Sequence, residues 1–125
     1  MDKRIATVNF FDTISANSGK TLVSKNINAP YIVQEIDVSF APGANRLLEL
    51  EPYVSFDDAA PADGQINGVN LIQQFSQKEV IVGDDERKEL DQNIIVKSRN
   101  SRLKIFANNT DSNEHTVDAQ ITIAI

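Results

Sequence analysis

Apolar and polar residues alternate along most of this chain with a period of two. The last nine residues show the pattern best, because every second side chain there is apolar: Val117, Ala119, Ile121, Ile123 and Ile125. Successive side chains of a β-strand point to opposite faces, so this pattern predicts a strand buried on one side. No comparable helical period occurs, and residues 84–90 would form one helical turn at most.

Two pairs of predicted strands are separated by short segments rich in turn-forming residues, which predicts two hairpins. They join residues 31–40 to 46–56 and residues 103–107 to 117–125. In the first strand, alternation puts Ile32 on the same buried face as Ile36 and leaves Tyr31 on the polar face. In the second, Pro52 predicts an edge position or a bulge, because proline has no N–H to donate.

Further strands are predicted over 5–11, 20–28, 71–75, 79–82 and 93–98. About eight short strands with turn signals between them indicate an all-β fold, an antiparallel β-sandwich. The strand number, and the absence of a Cys-Trp-Cys pattern, favour a jelly roll over an immunoglobulin fold. We predict a single domain over residues 1–125, with residues 1–4 as an N-terminal arm.

Composition excludes several kinds of chemistry. The 125 residues carry 18 acidic and 12 basic side chains, and the net charge of -6 argues against a nucleic-acid partner. There is no Cys, so disulfides, thiolate metal sites and thiol catalysis are ruled out, and a lone His115 cannot supply two imidazoles. Without a signal peptide or a long apolar run, we expect a soluble protein that stays where it is made and binds no membrane and no cofactor.

The one long polar loop, 57–68, contains Asp57, Asp58 and Asp63, followed by Gly64. Oxygen-rich loops of this kind can bind calcium, although the spacing is not that of an EF-hand. The alternative is a plain solvated loop, because Asp and Gly are also the residues that turns use.

Two further groups are candidates for catalysis. The acidic segment 83–89 predicts a surface turn, because adjacent exposed carboxyls do not raise each other's pKa as glycoside hydrolysis requires. His115 lies in a polar segment, and no Gly-x-Ser-x-Gly elbow supplies it with a nucleophile. We predict an exposed turn histidine and no enzyme.

Four cations lie within eight residues with two-residue spacing: Lys97, Arg99, Arg102 and Lys104. On a strand this spacing puts neighbouring pairs on one face, so they are the candidate interaction patch, with a solvated sheet face as the alternative. Tyr31 and Tyr53 are the candidate ligand-binding residues, because an exposed phenol can stack on a sugar and the chain has no Trp.

The segment from Ile36 to Leu48 joins a strand to a leucine-rich strand through an aromatic residue, a small residue and Pro-Gly. Together with 83–86 and 103–116, it resembles small jelly-roll proteins encoded among the virion genes of tailed phages and related viruses. The resemblance covers about the C-terminal two thirds of the chain. It implies a virion accessory protein made in the host cytoplasm, such as a bacteriophage capsid decoration or head-fibre subunit, and it assigns no catalytic residue.

We therefore expect a non-enzymatic structural protein of a virus particle. Its partners would be capsid or other virion proteins and its own copies, in a homo-oligomer such as a trimer held by many weak contacts. The alternative is a carbohydrate- or ligand-binding module that uses Tyr31, Tyr53 and the 57–63 loop. A small hydrolase acting through His115 is a third hypothesis.

Overall fold

The computed structural model describes residues 4–72 and 80–125, which form two antiparallel four-stranded sheets. The strands are β1 (Ile5–Ile14), β2 (Ser18–Val23), β3 (Tyr31–Phe40), β4 (Leu48–Ser55), β5 (Gly68–Asn70), β6 (Glu86–Val96), β7 (Arg102–Asn109) and β8 (His115–Ala124). The first sheet has the order β1-β8-β3-β6 and the second the order β2-β7-β4-β5. In these ranges no helix has the length and apolarity needed to cross a membrane.

The strand pairing is nested, because the first half of the chain pairs with the second half in reverse order. β1 pairs with β8, β2 with β7, β3 with β6, and β4 with β5. The contacts of β3 with β8 and of β4 with β7 then join these pairs into the two sheets. This is the strand order of a jelly roll, so the predicted fold class is confirmed.

Both predicted hairpins are wrong. β3 lies in the first sheet and β4 in the second, and β7 and β8 are separated in the same way. The polar segments between them carry the chain across the roughly 10 Å between the sheets. Turn-forming residues indicate that the chain leaves a strand, but they do not determine which strand it pairs with next.

The core lies between the two sheets and is built from alternate residues of every long strand. A β-bulge between Val33 and Glu35 shifts the register of β3. Tyr31 and Val33 therefore face the core together with Ile36, and Ile32 faces outward, which corrects the face predicted for Tyr31 and Ile32.

Residues 57–64 fold back across the outer face of the second sheet. The side chain of Lys104 is fully buried beneath them, and its ammonium group donates to Asp57 Oδ1 at 2.6 Å and to the Ala59 carbonyl at 2.7 Å. Phe106 lies close to the backbone of Gly19 and Gly64, where a Cβ atom would come within 2.7 and 2.8 Å of its ring. The second sheet is thus covered on both faces in this region, whereas most described residues on the outer face of the first sheet are exposed.

Several boundaries differ from the prediction. β2 ends at Val23, and Ile27 forms only an isolated bridge with Ser101. Leu71 and Ile72 lie in a turn, and residues 73–79, which belong to two of the predicted strands, lie outside the described residues. Of the segment 80–82, Ile81 forms an isolated bridge with Leu50.

The acidic segment 83–89 is mostly strand, since β6 begins at Glu86, so neither a surface turn over its whole length nor a helical turn is present there. Arg4 exchanges two backbone hydrogen bonds with Ile125 and extends the pairing of β1 with β8. It is therefore not part of a free arm, and residues 1–3 lie outside the described residues. Pro52 is tolerated within β4 because of the direction in which its backbone points. Its carbonyl accepts from the Leu71 N–H on the side away from β7, and the N–H that proline lacks would point to that same side, so no hydrogen bond to β7 is lost.

Candidate functional site

An apolar row crosses the outer face of the first sheet at one end. Ile5 pairs with Ala124, Ala124 with Ile32, and Ile32 with Ile95, so one side chain from each of the four strands lies in line. Ile5 and Ile95 are 58 and 63% exposed. Ala124, Ile32 and Ile95 also line a groove of about 360 Å³, together with Pro30, Ile125 and Lys97. We call these four paired residues the apolar row.

A polar pocket lies farther along the same face and has a volume of about 240 Å³. Its lining consists of Asp37, Ser39, Arg87, Asp118 and Gln120. The strand pairing explains the convergence, because Gln120 is paired with Asp37 and Ser39 with Arg87, and paired side chains point to the same side of a sheet. We call it the polar pocket.

Arg87 and Asp37 form a two-pronged ion pair at the floor of the polar pocket. Arg87 Nε donates to the two carboxylate oxygens of Asp37 at 2.7 and 3.0 Å, and Nη2 donates to Oδ2. These hydrogen bonds lower the pKa of the Asp37 carboxyl and raise that of Arg87. Arg87 Nη2 also lies 3.4 Å from Glu89 Oε1.

Three carboxylates on this face lie close enough together to consider a metal ion. Oxygens of Glu35, Asp37 and Glu89 are within 4.8 Å of one another. Both oxygens of Asp37 already accept from Arg87, however, so a positive charge occupies the position that a cation would need. The group acts as an ion-pair network.

The structure does not bring the four predicted cations together on one surface. Lys104 is fully buried beside Asp57, and Arg102 donates from Nη1 to the Ser24 carbonyl at 3.0 Å. Lys97 and Arg99 are exposed, but they lie in the connection between β6 and β7. The two-residue spacing correctly predicts that Arg102 and Lys104 share a face of β7, but residues 57–64 cover that face at Lys104.

The three predicted acidic residues of the long loop have different environments. Asp57 pairs with Lys104, and this hydrogen bond is the main reason why the pKa of Asp57 is lowered. Asp63 accepts from the Gln65 N–H at 3.0 Å in a local turn, and Asp58 borders a groove beside β1 and β2. A lysine ammonium therefore lies where a calcium ion bound by Asp57 would lie.

The two tyrosines proposed for ligand binding are buried in the structure. Tyr31 is 2% exposed, and its hydroxyl shares a hydrogen bond of 2.9 Å with that of Ser101. Burial raises the pKa of Tyr31. Tyr53 is 7% exposed and donates to Glu51 Oε2 at 3.4 Å. Neither ring offers a face to a sugar, because the bulge in β3 turns Tyr31 inward and Tyr53 is almost fully buried.

His115 is the first residue of β8 and not an exposed turn residue as predicted. Its side chain is 13% exposed, and Nε2 lies 2.7 Å from Asp111 Oδ2. This hydrogen bond lowers the pKa of Asp111. The pair lies beside Asn109, whose side-chain amide donates to three backbone carbonyls, so it forms part of the closure between β7 and β8.

The sequence pattern predicts neither of these two surfaces. The apolar row has a signal, because short apolar runs such as 31–33 and 94–96 indicate strand ends that are apolar on both faces. Phe10 and Phe11 give the same signal, because two successive apolar residues must point to opposite faces. Phe10 is buried, and Phe11, which is paired with Asp118, is 74% exposed. The polar pocket has no such signal, because its lining comes from three strands far apart in sequence.

No family model and no curated protein sequence matches the chain. Among solved structures, that of infectious bursal disease virus Gx strain matches 99% of this chain with a TM-score of 0.53 and 14% identity, and that of the Gt strain matches 98% with a TM-score of 0.52 and 10% identity. The chain spans 32% of each of those viral chains.

A carbohydrate-binding module is similar to the same degree. CBM32-1 from a family 31 glycoside hydrolase from Clostridium perfringens matches 90% of this chain and 75% of its own, with a TM-score of 0.53 and 15% identity. At these identities the likeness shows the fold alone, a jelly-roll sandwich that this chain shares with chains of infectious bursal disease virus and with a carbohydrate-binding module.

Proposed function

We propose that the chain is a non-enzymatic structural subunit of a virus particle, which binds the capsid or its own copies. The observation that carries this proposal is the apolar row, which presents exposed isoleucines on the open face of a jelly roll. The viral capsid structures of the same fold support it, as does the resemblance of the sequence to virion accessory proteins.

The apolar row has the features of an interface core. Ile5 and Ile95 belong to the two edge strands of the sheet, and Ile32 lies between them, so the row spans the full width of the sheet. Exposed apolar side chains grouped on one face often mark an interaction site, and here Ile5 and Ile95 are exposed while Ala124 between them is buried. The next row along the strands, Thr7, Thr122, Glu35 and Asp91, is polar and would form the rim.

In this mechanism each subunit contributes a modest contact, and repetition on a symmetric particle makes the binding strong. When many copies are presented together, the second and later contacts form at high effective concentration. A closed cyclic oligomer, such as a trimer, would bury the apolar row of every copy in the same way. No proton transfer or nucleophile is required for this role.

The test is particle binding and self-association of the purified chain. Sedimentation and light scattering are measured with and without capsids of the encoding virus, for the wild type and for Ile95→Glu. Phe56→Glu is the matched control, because Phe56 is 62% exposed but follows β4 in the second sheet. We expect Ile95→Glu to abolish association and Phe56→Glu to preserve it. A wild-type chain that stays monomeric at high concentration and fails to bind the capsids refutes the proposal.

A further inference from the structure

The polar pocket contains hydrogen-bonding groups that have no partner in the protein. Asp118, Gln120 and Ser39 form no side-chain hydrogen bond or ion pair with the residues that the structure describes. Arg87 uses Nε and Nη2 for Asp37 and Glu89, which leaves both N–H groups of Nη1 without a partner in 4–72 and 80–125. The pocket thus offers a carboxylate, an amide, a hydroxyl and a guanidinium edge side by side.

An exposed aromatic ring lies on the strand next to Asp118, which lines this pocket, and itself lines the groove beside β1 and β2. Phe11 is paired with Asp118 across β1 and β8, which puts their Cβ atoms on the same face roughly 5 Å apart. With 74% of its surface exposed, Phe11 is the most exposed large apolar residue in the described chain. It contributes little to the core, so its ring is available to a ligand.

The charge of the surrounding surface limits the ligand. Within the pocket, Asp37 and Asp118 outnumber Arg87, and Glu35, Glu89 and Asp91 add negative charge on the same face. Anions such as phosphates and acidic sugars are therefore repelled. A cationic ligand is attracted by this surface, but within the pocket the guanidinium of Arg87 already occupies Asp37. A neutral ligand with many hydroxyl groups has no such penalty.

We propose that the polar pocket binds a neutral pyranoside. Asp118 and Gln120 accept hydrogen bonds from sugar hydroxyls, Arg87 Nη1 donates to a hydroxyl oxygen, and the Phe11 ring contacts the apolar C–H face of the sugar. The ion pair with Asp37 holds the guanidinium in place, so the donor geometry exists before the ligand arrives. This binding activity goes beyond the proposed role in the particle and does not depend on it.

The experiment is an NMR titration of the labelled full chain with four probes: methyl β-glucopyranoside, methyl β-galactopyranoside, methyl α-mannopyranoside and N-acetylglucosamine. We expect saturable millimolar binding of at least one probe, with shift changes centred on residues 37–39, 87 and 118–120. Removing the ring in Phe11→Ala should weaken binding about 2- to 10-fold. Removing the carboxylate in Asp118→Ala should weaken it by about tenfold or more.

Phe56→Ala and Asp63→Ala are matched controls, because they remove an exposed ring and a carboxylate elsewhere on the surface, and their affinity should equal that of the wild type. Thermal unfolding checks that all four variants fold. The proposal is overturned if no probe binds at tens of millimolar, if the shifts lie elsewhere, or if both pocket variants bind normally. Binding of an oligolysine peptide but of none of the sugars would also overturn it, since the acidic face would then be a cation surface.

The monomeric Ile95→Glu variant separates this proposal from the proposed function. Ile95 belongs to the apolar row and does not line the polar pocket. If Ile95→Glu binds a sugar but not the particle, the pocket proposal holds and the apolar row is needed for association. If it binds the particle but no sugar, the pocket proposal fails and the proposed function does not depend on that failure.

Discussion

The loop that covers the second sheet brings Gly64 against Phe106, and a second glycine outside the loop, Gly43, allows a quantitative test of this packing. Gly64 has φ +79°, and a Cβ atom there would lie 2.8 Å from Cε2 of Phe106. Gly43 has φ +95°, but a Cβ atom there meets nothing within 4 Å. Replacing each with alanine therefore separates the backbone effect from the steric effect.

The left-handed backbone costs an alanine about 1–2 kcal/mol, and this is the whole expected loss for Gly43→Ala. Gly64→Ala adds the overpacking of a close contact, about 1–3 kcal/mol, so its total should be about 2–5 kcal/mol. Gly19→Ala carries the steric part alone, with a Cβ atom 2.7 Å from Cζ of Phe106 and 2.9 Å from the Ala62 carbonyl oxygen. For a domain of this size, each kcal/mol lowers the melting temperature by about 3–5 °C.

The assay is urea unfolding followed by circular dichroism, combined with a double-mutant cycle. In the Phe106→Leu background the ring is absent, so Gly64→Ala should lose its steric part and cost no more than Gly43→Ala. The reasoning is refuted if Gly64→Ala destabilises the wild type no more than Gly43→Ala does. An unchanged cost in the Phe106→Leu background would show that Phe106 is not the contact responsible.

Two further predictions concern ion pairs. Because Lys104 lowers the pKa of Asp57 below its ordinary value of 3.8, the stability from this pair is present above that pH and is lost as the pH falls through the depressed pKa. Acid unfolding curves of Lys104→Met should lack this part of the pH dependence, and a curve parallel to the wild type would contradict it. Arg87→Lys should raise the pKa of Asp37 towards its ordinary value in a carboxyl NMR titration, because lysine cannot form the two-pronged pair; Arg99→Lys, an exposed control, should leave it unchanged.

Local periodicity was sufficient for the fold class but not for strand pairing. The alternation in Val117–Ile125 predicts β8 and its buried face correctly, because facing depends only on neighbours in sequence. The partner of β8 on one side is β1, about 110 residues earlier in the chain, and no local feature of either strand specifies the other. Nested long-range pairing is therefore what a hairpin-based interpretation misses.

The exposure of the candidate site residues could not be predicted for a similar reason. Two-residue spacing places Lys104 on the outer face of its strand, which is correct, but whether that face meets water depends on the loop that covers it. A single-residue bulge after Val33 reverses the expected exposure of Tyr31 and Ile32. Exposure, which determines whether a charge or a ring can bind a partner, is set by these tertiary features.

The two proposed surfaces share one sheet face, so the size of the contact determines whether both can be used at once. Asp118 in the polar pocket and Ala124 in the apolar row are six residues apart on β8, a distance of about 20 Å. An interface of standard size buries about 800 Å² per partner, which corresponds to a radius of about 16 Å if it is round and centred on the apolar row. Its rim would then pass Glu35 and reach Gln120, which lines the polar pocket and lies about 14 Å from Ala124, whereas Asp118 would lie outside it. A subunit assembled through a round contact of this size would thus cover the Gln120 side of the polar pocket, so we expect assembly to weaken sugar binding.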